Sequence, residues 1–213
     1  MTRKEFDLSG FTAVEARNAL KVEISYGDSY AVAIDADKEI IGEVKVEMTG
    51  DKLKAKLVTR WGHLEMLFKQ TPSPRLIITT PQLKYLELAA ATRGNITGFS
   101  GVDSFQAVLA GASRLTGDIE CRELALEGGA ASFFELTGST AALKIDLSGT
   151  SHANLEKMST GDTRAKLAGA SSLTLNSNGR IDADVSSASN LRWLGSPTMG
   201  DIRITGASSF SKK

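Results

Sequence analysis

One cysteine, four prolines and two histidines are spread over 213 residues. The lone Cys121 excludes a disulfide framework and a thiolate metal site. His63 and His152 stand far apart, each without a second His or Cys nearby, so neither a metal centre nor a Ser-His-Asp triad has its residue set. Aromatic residues make up only 6% of the chain, and no segment approaches the ~20 consecutive apolar residues of a membrane-spanning helix. Net charge is missing too: 25 Lys plus Arg stand against 25 Asp plus Glu. Nucleic acid and anionic membrane are therefore not the expected partners, since both are held by a basic excess. The start, MTRKEFDLSGF, carries no apolar stretch of the signal-peptide kind. What is abundant, 20 glycines and 41% hydrophobic residues, describes a folded chain.

The first part reads as antiparallel strands. ALKVEISY (19–26), YAVAID (30–35), EVKVEM (43–48) and LKAKLV (53–58) alternate apolar and polar residues. Gly27-Asp28 and residues 49–52 supply the turns. HLEMLFKQ (63–70) breaks the pattern and reads as a short helical turn or an irregular insertion. TPSP (71–74) reads as a loop, because each Pro removes a donor and restricts its predecessor. A strand resumes at RLIIT (75–79).

From residue 81 onward the chain repeats itself. VLAGASRLTG, DLSGTSHANL, KLAGASSLTL, DVSSASNLRW and RITGASSFSK are variants of one phrase. The apolar residues before each phrase are Leu88, Leu109, Leu126, Leu147, Leu167, Val185 and Ile204, spaced by 21, 17, 21, 20, 18 and 19 residues. Two positions earlier stand Leu86, Ala107, Leu124, Ile145, Ala165, Ala183 and Ile202, on the same side of a strand. A repeat near 19 residues without helical periodicity predicts an all-β fold: a parallel β-solenoid preceded by the antiparallel strands. The whole chain, 1–213, reads as one domain, with a strand and cap region over 5–80 and seven coils over 81–213.

The repeated phrase reads as a corner. Gly111, Gly128, Gly149, Gly169 and Gly206 are placed at its centre, with Ala90 and Ser187 as variants, because glycine accepts positive φ and small neighbours let turns stack. Thr92, Ser113, Ala130, Ser151, Ser171, Ser189 and Ser208 follow, and their hydroxyls can bond backbone within the turn. The residue before each inward position forms an outward file: Glu87, Val108, Ala125, Asp146, Lys166, Asp184, Arg203. Its last four members alternate in sign, which selects register on a solvated face.

These residues carry a resemblance. The corners LAGAS, LSGTS and ITGAS resemble those of the head GIN domain family of auto-transporter adhesins. FTAVEARNALKVEISYGDSYAVAIDAD resembles that family's opening strands, and LRWLGSPTMGDIRITGASSF its close. The resemblance implies a right-handed β-helix related in shape to pectin lyases, a role in adhesion outside the cytoplasm, and homo-oligomers, trimers among them. It implies no catalytic residue, no metal and no cofactor. Export would require a leader outside MTRKEFDLSGF. EGGAAS, Ser187 and the 61–74 insertion depart from the family pattern.

Three functions compete. The leading one is a non-enzymatic binding or structural protein of the periplasm or cell surface, taking a glycan or a cell-surface protein as partner. The second is a polysaccharide-active enzyme, for which Asp118, Glu120, Asp146, Asp182, Asp184 and Asp201 are the candidate carboxylates. The third is an extracytoplasmic regulatory module. Phe133-Phe134 puts one ring on each face of a strand, marking an aromatic contact or an oligomer surface. Trp193, with Phe210, reads either as core of the last coils or as a sugar-stacking platform. No nucleotide-binding loop and no calcium nonapeptide is found.

Overall fold

The computed structural model describes residues 1–58 and 73–213; the expectations for His63 and for most of the 61–74 insertion fall outside these. In chain order the strands are β1 Thr2–Phe6, β2 Ala13–Arg17, β3 Lys21–Tyr26, β4 Ala31–Ala36, β5 Val44–Thr49, β6 Lys52–Leu57, β7 Arg75–Thr80 and β8 Tyr85–Ala89. Four long, bent strands follow: β9 Arg93–Ala110, β10 Arg114–Gly128, β11 Phe133–Leu147 and β12 His152–Leu167. The last five are β13 Ser172–Ser177, β14 Arg180–Val185, β15 Asn190–Gly195, β16 Thr198–Ile204 and β17 Ser209–Lys212. Together they form a parallel β-solenoid of about seven turns.

Two walls of the coil organise everything else. One wall stacks β6, β2, β8, the second halves of β9 to β12, then β14 and β16. The other stacks β7, β3, the first halves of β9 to β12, then β13, β15 and β17. Antiparallel pairing is confined to β5–β6 and to β1–β4–β7. The opening strands β2 and β3 instead run parallel to their neighbours, slotted between β6/β7 and β8/β9. Alternation alone could not separate these cases, because a half-buried strand alternates whichever way its neighbour runs.

The core is a set of aligned side-chain files. Val14, Leu86, Ala107, Leu126, Ile145, Ala165 and Ala183 stack at consecutive rungs, and all are buried. The third coil corrects the expected register. Leu126 pairs with Ala107 and Ile145, while Gly128 pairs with Leu109 and Leu147. Gly128 is therefore an inward-facing residue of the stack and not a corner. The uneven steps of 17 and 21 residues become 19 and 19 once Gly128 replaces Leu126. A Cβ there would lie 2.9 Å from Leu147 Cδ2 and 3.0 Å from Phe134 Cε2. The buried Phe134 ring fills the space that the glycine leaves.

The corner of that coil belongs to Ala130, at φ +61°, in line with Gly111, Gly149, Gly169, Ser187 and Gly206 at +66° to +83°. Stacked corners hydrogen-bond through their backbones, as in Thr150 N–H to Ala130 O at 2.6 Å and Ala170 N–H to Gly149 O at 2.7 Å. Beneath them runs a buried file of hydroxyls: Thr92, Ser113, Ser132, Ser151, Ser171 and Ser189. Ser132 takes the place expected of Ala130, by the same two-residue shift. The first five donate to the carbonyl three residues back, at 2.6 to 2.8 Å. Each hydroxyl thereby finds its own buried partner within the turn and fixes the corner's geometry.

Candidate functional site

On the outer face of the β14-containing wall, the register lines up Glu15, Glu87, Val108, Glu127, Asp146, Lys166, Asp184 and Arg203. Glu127, not Ala125, belongs to this file; Ala125 lies in the neighbouring one, between Gln106 and Lys144. Gln106 Nε2 donates to Glu127 Oε1 at 2.9 Å. From Asp146 to Arg203 the signs alternate rung by rung. Lys166 stands between two carboxylates, so Lys166→Glu would line up four acidic groups from Glu127 to Asp184. We expect a loss of about 1 kcal/mol in urea unfolding, falling as salt is raised; an unchanged midpoint would mean the file does not set register.

Two files together line an open groove of about 550 Å³, with Arg164, Lys166, Asp182, Asp184, Asp201 and Arg203 at its rim. Its acidic centre is tied down. Arg180 reaches Asp182 Oδ1 at 2.9 Å and Asp201 at 3.6 Å, and the Asp201 N–H donates to Asp182 Oδ1 at 2.7 Å. The Arg180 hydrogen bond first, then the Asp201 backbone, holds the Asp182 carboxyl below its ordinary range. A general acid of a glycosidase needs the opposite shift, produced by an apolar pocket or a second carboxylate. Asp182 is therefore a fixed acceptor in a polar network.

At the other end of the same wall, Arg17 bridges Glu15 at 2.9 Å and Glu87 at 2.6 Å, and Lys52 lies 4.8 Å from the centre of the Tyr85 ring. Burial, then the hydrogen bond to Glu87, push the Tyr85 phenol up to about 12. A folded value above the unfolded one gives stability that is complete below about pH 10 and lost as pH rises through about 12. Tyr85→Phe should remove that increment. Between about pH 9 and 11.5 its thermal midpoint should fall less than that of the parent chain.

The two aromatics of FF separate as their alternation requires. Phe134 is core, and Phe133 is half-buried beneath the Arg114 guanidinium, 4.0 Å from the ring centre. Trp193 stacks on Phe210 at 4.3 Å, and both pack, partly buried, against the core. Cys121 is buried beside Thr140, its thiol pushed up by burial. Among the described residues, no group of three or more His, Cys, Asp or Glu is placed to hold a metal ion, and no helix is long and apolar enough to cross a membrane.

A second buried hydroxyl file, Thr140, Thr160 and Ser177, escapes sequence reading. These hydroxyls bond the carbonyls of Ala142, Asn176 and Gly161 at 2.9 to 3.0 Å. No repeated phrase surrounds them, so only their spacing of 20 and 17 residues could have pointed to them.

Residues 10–197 match the family described as "Putative auto-transporter adhesin, head GIN domain", and the chain belongs to it. No curated protein matches the sequence. Among solved structures, the fold resembles a protein named a putative adhesin from Bacteroides fragilis, with a TM-score of 0.86 at 15% identity, covering 100% of this chain and 96% of that one. A protein named a putative lipid binding protein from Parabacteroides distasonis aligns at 0.73 and 13%, over 100% and 96% of the two chains. One named a putative adhesin from Parabacteroides merdae aligns at 0.64 and 10%, over 100% and 95%. At these identities the likeness is one of fold.

Proposed function

We propose that the protein is a non-enzymatic, adhesin-like binding module acting outside the cytoplasm, in the periplasm or at the cell surface. The observation that carries this reading is the pair of solenoid walls, whose outward side chains stand in register over consecutive coils and offer a long, repetitive surface to an extended partner. Membership of an adhesin-named family supports it. The Asp182 carboxyl, held below its ordinary range by Arg180, is unsuited to the general-acid role that the carbohydrate-active alternative would ask of this groove.

The test is binding to arrayed polysaccharides and surface proteins, with reducing and unsaturated sugar ends assayed in the same wells. Binding without product supports the proposal. Released sugar overturns it and makes Asp146, Asp182 and Asp184 the residues to substitute first.

A further inference from the structure

On the wall opposite the groove, the residue after each buried corner hydroxyl points outward. Here the register brings four cations together at consecutive rungs: Arg75, Lys21, Arg93 and Arg114. All four are exposed. Sequence inspection does not find them, because Lys21 and Arg75 are 54 residues apart and meet only through the slotting of β3 between β7 and β9.

Neighbouring rungs lie ~4.8 Å apart, and like charges facing each other across strands destabilise a sheet. Two of the four are partly compensated. Arg75 lies 3.4 Å from Glu23, and Arg114 rests on the Phe133 ring. Among the described residues, Lys21 and Arg93, the middle pair, meet no carboxylate in an ion pair. A chain of zero net charge thus places two unpaired cations at adjacent rungs in the middle of this file. The fold itself gains nothing from this arrangement, whereas an anionic ligand would.

We propose that this file binds a linear anionic polysaccharide laid along the solenoid axis, its carboxylates or sulfates on Arg75, Lys21, Arg93 and Arg114. The proposal rests on the adhesin-like reading above and names its ligand class. Three features favour this class. The file is one residue wide, flanked on its outer side by Glu23, Asn95, Thr116 and Glu135, so a bilayer or a duplex would bring anions onto Glu23 and Glu135. An extended peptide presents side chains to one face only about every 6.6 Å and brings backbone donors and acceptors that must also be satisfied, whereas an anionic glycan carries its charges beside hydroxyls alone. Past Arg114 the file continues as Phe133, covered by the Arg114 guanidinium, and then as His152 and Ser172, which bond each other and offer their remaining donors and acceptors to sugar hydroxyls. Guanidinium forks match carboxylate and sulfate geometry.

The experiment is titration calorimetry of the full chain with polygalacturonate fragments, a sulfated glycan of similar length, and methyl-esterified galacturonan as the neutral counterpart. Vesicles of phosphatidylserine and phosphatidylcholine form a separate arm. Binding to at least one anionic glycan is expected, weakened by salt and at least about tenfold tighter than to the ester. Lys21→Gln with Arg93→Gln should lose about tenfold or more, with an equal or higher thermal midpoint because repulsion is relieved. Lys45→Gln with Lys157→Gln, which removes the same charge elsewhere, should change affinity less than about twofold. Absence of binding to both anionic glycans, equal loss in the two double variants, or binding to vesicles alone overturns the proposal. If arrayed surface material still binds and the Lys21/Arg93 variant retains it, the adhesin-like reading survives without this site; if nothing on the arrays binds, both fall.

Discussion

Replacing Gly117 by alanine is expected to cost about 4 kcal/mol or more, the range reserved for a broken structural device. Gly117 lies where β10 passes over β9 and pairs with Ile96. Its φ is +134°, a region that residues with a Cβ rarely enter. An added Cβ would lie 1.9 Å from the Ile96 carbonyl oxygen and 2.8 Å from its carbonyl carbon and nitrogen. These are backbone atoms of the rung beneath, hydrogen-bonded in the sheet, so nothing can move aside without parting two coils. Gly101→Ala is the matched control. Its φ is +67° and no atom lies within 4 Å of the added methyl, so only the left-handed backbone cost of about 1 kcal/mol applies. Urea unfolding followed by circular dichroism should separate the two by about 3 kcal/mol. Equal losses would mean that backbone conformation, not rung contact, decides.

Gly117 marks the limit of what the sequence reveals. A repeated phrase exposes one corner of each coil, because turns stacked on turns must reuse small residues. The stretch that carries Gly117 and, four rung positions later, Thr140 and Thr160 has no such phrase. There the chain is held by single glycines and isolated hydroxyls that look like surface residues until the coils are superposed. The inward files were legible from Leu88 to Val185 since a two-residue period survives any local irregularity. The third coil was misplaced by two residues because Gly128 and Gly129 are adjacent, and a glycine in LEGGAAS reads as a turn when it can equally be a gap in the core. The outward files suffered most. Their membership depends on knowing which residues are neighbours across coils, so the shift put Ala125 where Glu127 belongs, and the insertion of β3 hid the run of cations altogether.

That misplacement supplies the sharper test. Phe134→Ala is expected to cost about 3–5 kcal/mol, as for other fully buried aromatic rings, since the ring is 0% exposed and lies in the file with Leu115 and Ala153. Gly128→Ala alone should cost about 1–3 kcal/mol by overpacking, its methyl driven against Phe134 and Leu147. In combination the losses should not add. With the ring shortened to leucine, only the flexible end of Leu147 still crowds the methyl at 128, and Gly128→Ala should cost clearly less in the Phe134→Leu background, a coupling of about 1 kcal/mol in a double-mutant cycle. Were Gly128 the corner, its alanine variant would suffer from backbone conformation whatever stands at 134, and the cycle would close at zero. An inward Gly128 predicts coupling to Phe134 and none to Ala130→Gly, which only relaxes the true corner at φ +61° and should stabilise the chain by a few tenths to about 1 kcal/mol. The four substitutions together read the register of the third coil, and with it the membership of every outward file that a ligand would meet.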